Sequence, residues 1–170
     1  MRLIASAPAD YQALRGAVEW RGFAVPEGGL EPPEILDMLV GWSARLMSAQ
    51  GWGTWLAIQD GEVVASLAVK EPLEAGAVEI GDGVAPARRG RGIATQAVRA
   101  LVGLWAARGV TQVLASTGRE NVASAQVLRK VGFDRVGQRL DTEDGLDLWA
   151  LFPPLADRSR RAGSGEGQSR

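Results

Sequence analysis

Residues 84–94 read VAPARRGRGIA, and the fold turns on how this stretch is understood. Arg88, Arg89 and Arg91 alternate with Gly90 and Gly92, after an apolar segment and ahead of an apolar helical pattern. A strand, a glycine-rich turn and a helix in that order leave the first amides of the helix without intrahelical partners. Those N–H groups, with the helix dipole, favour an anion. Gly90 and Gly92 let the backbone approach a phosphate with no Cβ in the way. The arginines add charge, although so crowded a set cannot point every side chain inward. A Walker A loop needs Lys followed by Ser or Thr, which is missing here. The dinucleotide fingerprint needs an early βαβ unit, whereas this turn lies mid-chain. Taken alone, the turn reads equally well as a solvated arginine cluster.

Working outward, Ile93, Ala97, Leu101, Leu104 and Trp105 mark one helix face up to about Ala107. VTQVLAS at 110–116 reads as a strand, and residues 122–131 as a helix stopped by Gly132. FDRVGQRL and LDLWALF read as closing strands. Upstream, WGTWLAIQ and EVVASLAVK flank Asp60-Gly61, a favoured hairpin turn. AGAVEIGDGVA is a third strand, whose Gly81 and Gly83 predict a bulge or a close backbone approach. Nearer the start, RLIAS at 2–6 is a strand and PADYQALRGAVEW a proline-started helix. GFAVPEGGLEPP is an irregular link or lid, and EILDMLVGWSARLMSA at 34–49 is a second helix. The order β-α-α-β-β-β-α-β-α-β-β predicts an α/β layer with a mainly antiparallel sheet.

The 170 residues suffice for one core, expected over 1–154 with a flexible tail at 155–170. Lys+Arg is 19 against Asp+Glu 20, which argues against a nucleic-acid partner held by a broad basic surface. The chain has no Cys and no His, which excludes disulfides and Cys nucleophiles and speaks against a zinc centre or a Ser-His-Asp hydrolase. No metal is expected. No apolar run approaches a membrane span and the start lacks a signal-peptide pattern, so a cytoplasmic, soluble chain is expected.

VAPARRGRGIA resembles the acyl-CoA pyrophosphate loop of the GNAT superfamily of N-acyltransferases, with Arg89, Gly92 and Ala94 at the motif positions. ENVASAQVLRKVGF resembles that family's second block, through Asn121, Ser124, Gly132 and Phe133. The likeness covers roughly residues 2–152, and the Asn-x-x-Ser pattern is similar to the branch of the ribosomal-protein alanine N-acetyltransferases. It implies a GNAT-like α/β fold, with a central mixed, mostly antiparallel sheet flanked by helices. It also implies acetyl-CoA as acyl donor, an EC 2.3.1-class transfer to a primary amine of a peptide N-terminus or small molecule, and a homodimer. The alternative is a non-catalytic acyl-CoA-binding or sensing domain. The coenzyme site implied comprises Val84, Arg88, Arg89, Gly90, Arg91, Gly92, Ile93, Ala94 and Asn121.

Acyl transfer to an amine requires loss of a proton from nitrogen, a stabilised carbonyl oxygen and a leaving thiolate. Glu79, isolated in the apolar AVEIG strand, is the first candidate base, because partial burial raises a carboxyl pKa. A solvated Glu or one paired with Arg explains the same residue. Asp82, between two glycines, is the alternative base. Many relatives carry a Tyr four residues before the Gly-Phe pair to protonate the thiolate; here Leu128 stands there, and the only Tyr is Tyr11. Ser124 is the substitute acid, unless its hydroxyl merely bonds the preceding turn. Asn121 either caps the helix at Val122 or binds the coenzyme. Backbone amides near Gly83–Val84 can polarise the carbonyl. Trp20, Phe23, Trp42, Trp52, Trp55 and Trp149 are candidate acceptor walls or core residues. Glu27, Glu31 and Glu34 are acids that attract a cationic amine, or simply belong to a surface linker.

Overall fold

The computed structural model describes residues 1–48, 53–72, 76–140 and 145–152. The expected tail at 155–170 and Trp52 lie outside them. Its elements are β1 (Arg2–Ser6), α1 (Pro8–Ala13), β2 (Glu19–Trp20), β3 (Phe23–Ala24), α2 (Pro33–Ser48), β4 (Thr54–Gln59) and β5 (Glu62–Pro72). There follow β6 (Ala77–Val84), α3 (Ile93–Ala107), β7 (Gln112–Gly118), α4 (Val122–Val131), β8 (Asp134–Arg139) and β9 (Leu146–Leu151). The main sheet runs β1-β4-β5-β6-β7-β9-β8. Its pairs are antiparallel except β6 with β7, while the small β2–β3 hairpin adds a parallel contact of β3 to β5. The expected mixed, mostly antiparallel α/β architecture is the one observed.

Both faces of the sheet are covered, which is why β4 and β5 are nearly uniformly apolar. Along β4, Trp55 and Ala57 enter one core cluster while Leu56 and Ile58 enter the other, as a two-residue period requires. The first cluster takes Ala97, Val98, Leu101 and Trp105 from α3, with Leu128 from α4. There Trp55 and Trp105 meet edge to face, 5.1 Å between centroids. The second cluster takes Tyr11 and Leu14 from the α1 region and Leu36 and Leu39 from α2.

The helix expected over 8–20 stops at Ala13, and residues 19–24 form a hairpin instead. Arg21 and Gly22, with φ of 49° and 81°, make its turn. Asp10 explains the change through tertiary contacts. Its carboxylate accepts from the Ala7 amide (2.8 Å), the Trp20 indole Nε1 (3.2 Å) and Arg21 Nη2 (2.7 Å). Asp10→Ala leaves the buried indole N–H without its acceptor, and urea unfolding should show a loss of about 1–3 kcal/mol.

Candidate active site

β6 and β7 pair side by side only from Ala77–Gln112 to Ile80–Ala115. Beyond that point Gly81–Val84 pair with β5 alone, and Ser116–Gly118 with β9 alone. The parted strands leave one backbone edge of β6 open between them.

After β6 the chain makes a short 3-10 turn, Pro86–Arg88, then enters α3 through Gly90 and Gly92. Both glycines have left-handed φ, 75° and 74°, while an added Cβ would meet nothing within 4 Å. Backbone conformation therefore demands glycine here, rather than crowding. Gly92 caps α3 with no side-chain hydrogen bond. Ile93, Ala94 and Thr95 line a cleft of about 580 Å³ together with Val84, Arg88, Arg89, Gly90 and Gly92. Across the cleft α4 contributes Ser124, with Asn121 at its start. Asn121 is a cap, its Oδ1 accepting from the Ser124 amide at 3.0 Å, and it also lines the cleft. Arg91 is exposed and does not line the cleft.

Arg88 is not free to turn toward an anion. Its Nε donates to Glu62 Oε2 at 2.6 Å and its Nη2 to Oε1 at 2.7 Å, tying the turn to the start of β5. That fork holds the Glu62 carboxyl below the usual range. Arg89 donates from Nε to the Val84 carbonyl at 3.1 Å.

A second cavity of about 340 Å³ opens on the other side of β6. Asp82, Gly83 and Arg89 line both cavities, so the two meet there. Asp82 is exposed to solvent where it borders the two cavities, and the protein packed around it still strips part of the hydration from its carboxyl. Burial pushes its carboxyl up to about 6, Glu31 adds to the rise, and Lys70 opposes it. Glu79 lies three residues back, where β6 is still paired with β7, and lines neither cavity. Its Oε1 accepts from Ser116 Oγ at 2.8 Å and stands 3.6 Å from Lys70 Nζ, which itself donates to Ser116 at 3.2 Å. The shift in strand register that accommodates Lys70 falls in β5, not at Gly81 or Gly83. The glycines answer to close approach instead: a Cβ on Gly81 would come 2.9 Å from Lys70 Cε, and one on Gly83 1.8 Å from Glu31 Oε1.

Glu31 is 9% exposed and accepts from Ser66 Oγ at 2.7 Å. Burial raises its carboxyl above the usual range, against the Ser66 hydrogen bond and the charge of Arg89. Its neighbour Leu30 is fully buried, so this part of the expected lid is packed core. Among the aromatic candidates Trp42 lines the second cavity, whereas Trp20, Trp55 and Trp149 are core. Tyr11 is fully buried in the second cluster, where burial raises its hydroxyl to about 12, and Leu128 is core. The sequence reading missed Gln126 and Lys130 in the cleft, and Ser66 and Lys70 in the cavity. The i, i+3, i+7 spacing of Ala123, Gln126 and Lys130 was the available signal for the first two. The others need the strand pairing.

The acetyltransferase (GNAT) domain model matches residues 2–134. In solved structures, the chain is similar to RimL, a ribosomal-protein alpha-N-acetyltransferase in complex with coenzyme A. That match has TM-score 0.69 and 20% identity over 88% of this chain and 92% of the other. It is similar to an aminoglycoside acetyltransferase in complex with coenzyme A, with TM-score 0.61 and 23% identity over 93% and 98%. It also resembles a spermidine N-acetyltransferase from Vibrio cholerae, with TM-score 0.68 and 12% identity over 90% and 95%. Among curated proteins none matches the chain by sequence. The chain belongs to the GNAT acetyltransferase family, whose reaction is acetyl-CoA-dependent transfer of an acetyl group to an amine. No helix among the described residues is long and apolar enough to cross a membrane.

The Arg88–Glu62 fork gives a testable consequence. Arg88→Ala and Glu62→Ala should each raise KM for acetyl-CoA by a similar factor, about fivefold, and the double variant should be no worse than either. Initial rates at varied acetyl-CoA measure this.

Proposed function

We propose that the chain acetylates a primary amine, of a peptide N-terminus or a small molecule, by direct attack without a covalent enzyme intermediate. The carrying observation is that Asp82 and Gly83 border both cavities, so one meets the other at a carboxylate. The donor set fits a pyrophosphate: glycine-turn amides, the start of α3, Arg89 and, opposite, Lys130. Acetyl-CoA, when bound, supplies a thioester whose carbonyl carbon accepts the amine nitrogen. Val84, Arg89, Gly90, Gly92, Ile93, Ala94 and Asn121 hold it, and Arg88 holds the turn.

Asp82 takes the proton from the ammonium nitrogen, and its position at the junction favours it over Glu79 for that role. Glu79 positions Lys70 and Ser116. The Ser124 hydroxyl passes a proton to the departing sulfur and takes up in its place the proton that the nitrogen releases as the amide forms. Asn121 with Ser124, and the likeness in fold to RimL, support a place near the ribosomal-protein N-acetyltransferase branch.

The test is free-thiol release from acetyl-CoA across peptides, aminoglycosides, polyamines, monoamines and amino acids. Amine-dependent release supports the reading. Saturable coenzyme binding without release from any amine would favour a sensing domain. Ser124→Ala is expected to lower kcat about tenfold, with KM for the amine little changed. An unchanged kcat in that variant would leave water as the proton source.

A further inference from the structure

We infer that the acceptor is a compact amine with a single positive charge beside an apolar group, and that Glu31 is the carboxylate recognising that charge. This rests on the acetyl-transfer reading above. The second cavity has two chemically distinct kinds of lining. Ile35, Met38, Leu39 and Trp42 fall at i, i+3, i+4 and i+7 along α2 and wall one side with apolar surface. Glu31 and Ser66 line the cavity where they meet Gly83, which with Asp82 borders the cleft as well.

Glu31 is built into place rather than left on a surface. It has one Ser66 hydrogen bond and a seat that exists only because Gly83 lacks a side chain. Its carboxyl is held above the usual range, which marks a buried anion with incomplete compensation from the protein. Arg89, the cation acting on it, gives its Nε to the Val84 carbonyl. A ligand ammonium supplies the compensation that the chain does not.

The charge balance limits how many ammonium groups fit. The cavity is lined by two acids, Glu31 and Asp82, and two bases, Lys70 and Arg89. Lys70 is already engaged by Ser116 and Glu79. One ammonium finds Glu31 and passes its proton to Asp82. Further charges on a polyamine or aminoglycoside would face Lys70, Arg89 or the α2 wall, all unfavourable.

The experiment compares phenethylamine and isoamylamine with spermidine, an aminoglycoside and a tripeptide in the thiol-release assay. Calorimetry of phenethylamine binding to coenzyme A-loaded protein runs beside it. The monoamines should exceed the polycations in kcat/KM by about tenfold or more, and Glu31→Gln should raise their KM about tenfold with kcat within about threefold. KM for acetyl-CoA should stay the same. Ser66→Ala, a milder change should Glu31→Gln fold poorly, should raise amine KM in the same direction. Preference for a polycation, or amine KM unmoved in both variants, overturns the inference. If no amine is acetylated, the transfer reading fails. Calorimetry then decides this inference separately, since Glu31-dependent phenethylamine binding upholds it and no binding overturns it.

Discussion

Asp82→Asn is expected to lower amine-dependent kcat by about 100-fold or more, because a positioned general base contributes about that much. Coenzyme binding should survive, since the turn and the start of α3 are untouched. The wild-type pH profile should report the same group. With its carboxyl at about 6, Asp82 is protonated below that value and cannot accept the ammonium proton. Wild-type kcat/KM should therefore fall as pH drops through about 6, and the residual Asp82→Asn activity should lack that limb.

The same shift makes a stability statement of opposite sense. In the unfolded chain the carboxyl returns to 3.8, so between 3.8 and about 6 the folded protein holds more protons. Its contribution is most favourable below that window and is lost as pH rises through about 6. Asn carries no charge, so Asp82→Asn should melt higher than wild type above pH 6 and lose its advantage near pH 4. Solvent reaching the cleft tempers the effect, and a gain of about 2 °C is expected. Thermal denaturation at both pH values checks the sign. Wild-type kcat in Asp82→Asn would return the base role to Glu79 or to water.

The second large effect is expected at Gly83, whose φ suits any residue but whose surroundings do not. In Gly83→Ala the new Cβ would lie 1.8 Å from Glu31 Oε1 and 2.8 Å from Cδ, so the carboxylate must leave its seat. The buried Ser66 hydroxyl then loses its acceptor. A stability loss of about 1–3 kcal/mol by urea unfolding is expected, with a rise in amine KM. The control is the same substitution in Glu31→Ala protein, where the clash is gone and the cost should largely vanish. An equal cost in both backgrounds would show that Glu31 does not make Gly83 necessary.

Local chemistry made much of the fold legible. Asn121 before a 3.6-residue apolar pattern and Gly132 after it bound α4 at Val122–Val131, as the residues predict. Asp60 and Gly61 form the hairpin turn with φ of 51° and 80°. The glycine-spaced basic turn does open α3. Each of these signals acts within a few residues, so the order of residues alone determined it.

What the tertiary structure decided depends on partners far apart in the chain. An acid in an apolar strand advertised Glu79, yet the place where β6 and β7 part, just past Ile80, is set by long-range pairing and brings Asp82 to the junction. Arg88 looked like part of an anion grip, and Glu62, 26 residues earlier, takes the Nε–Nη2 edge of its guanidinium. Glu31 looked like one of three linker acids, and only its approach to Gly83 on β6 and to Ser66, 35 residues away on β5, singles it out. Residues 14–20 left the helix because Asp10 holds Trp20 and Arg21. Propensity and capping are local energies and can be read along the chain. Which carboxylate meets a cavity depends on how the strands diverge and what packs between them, and that geometry exists only in the assembled sheet.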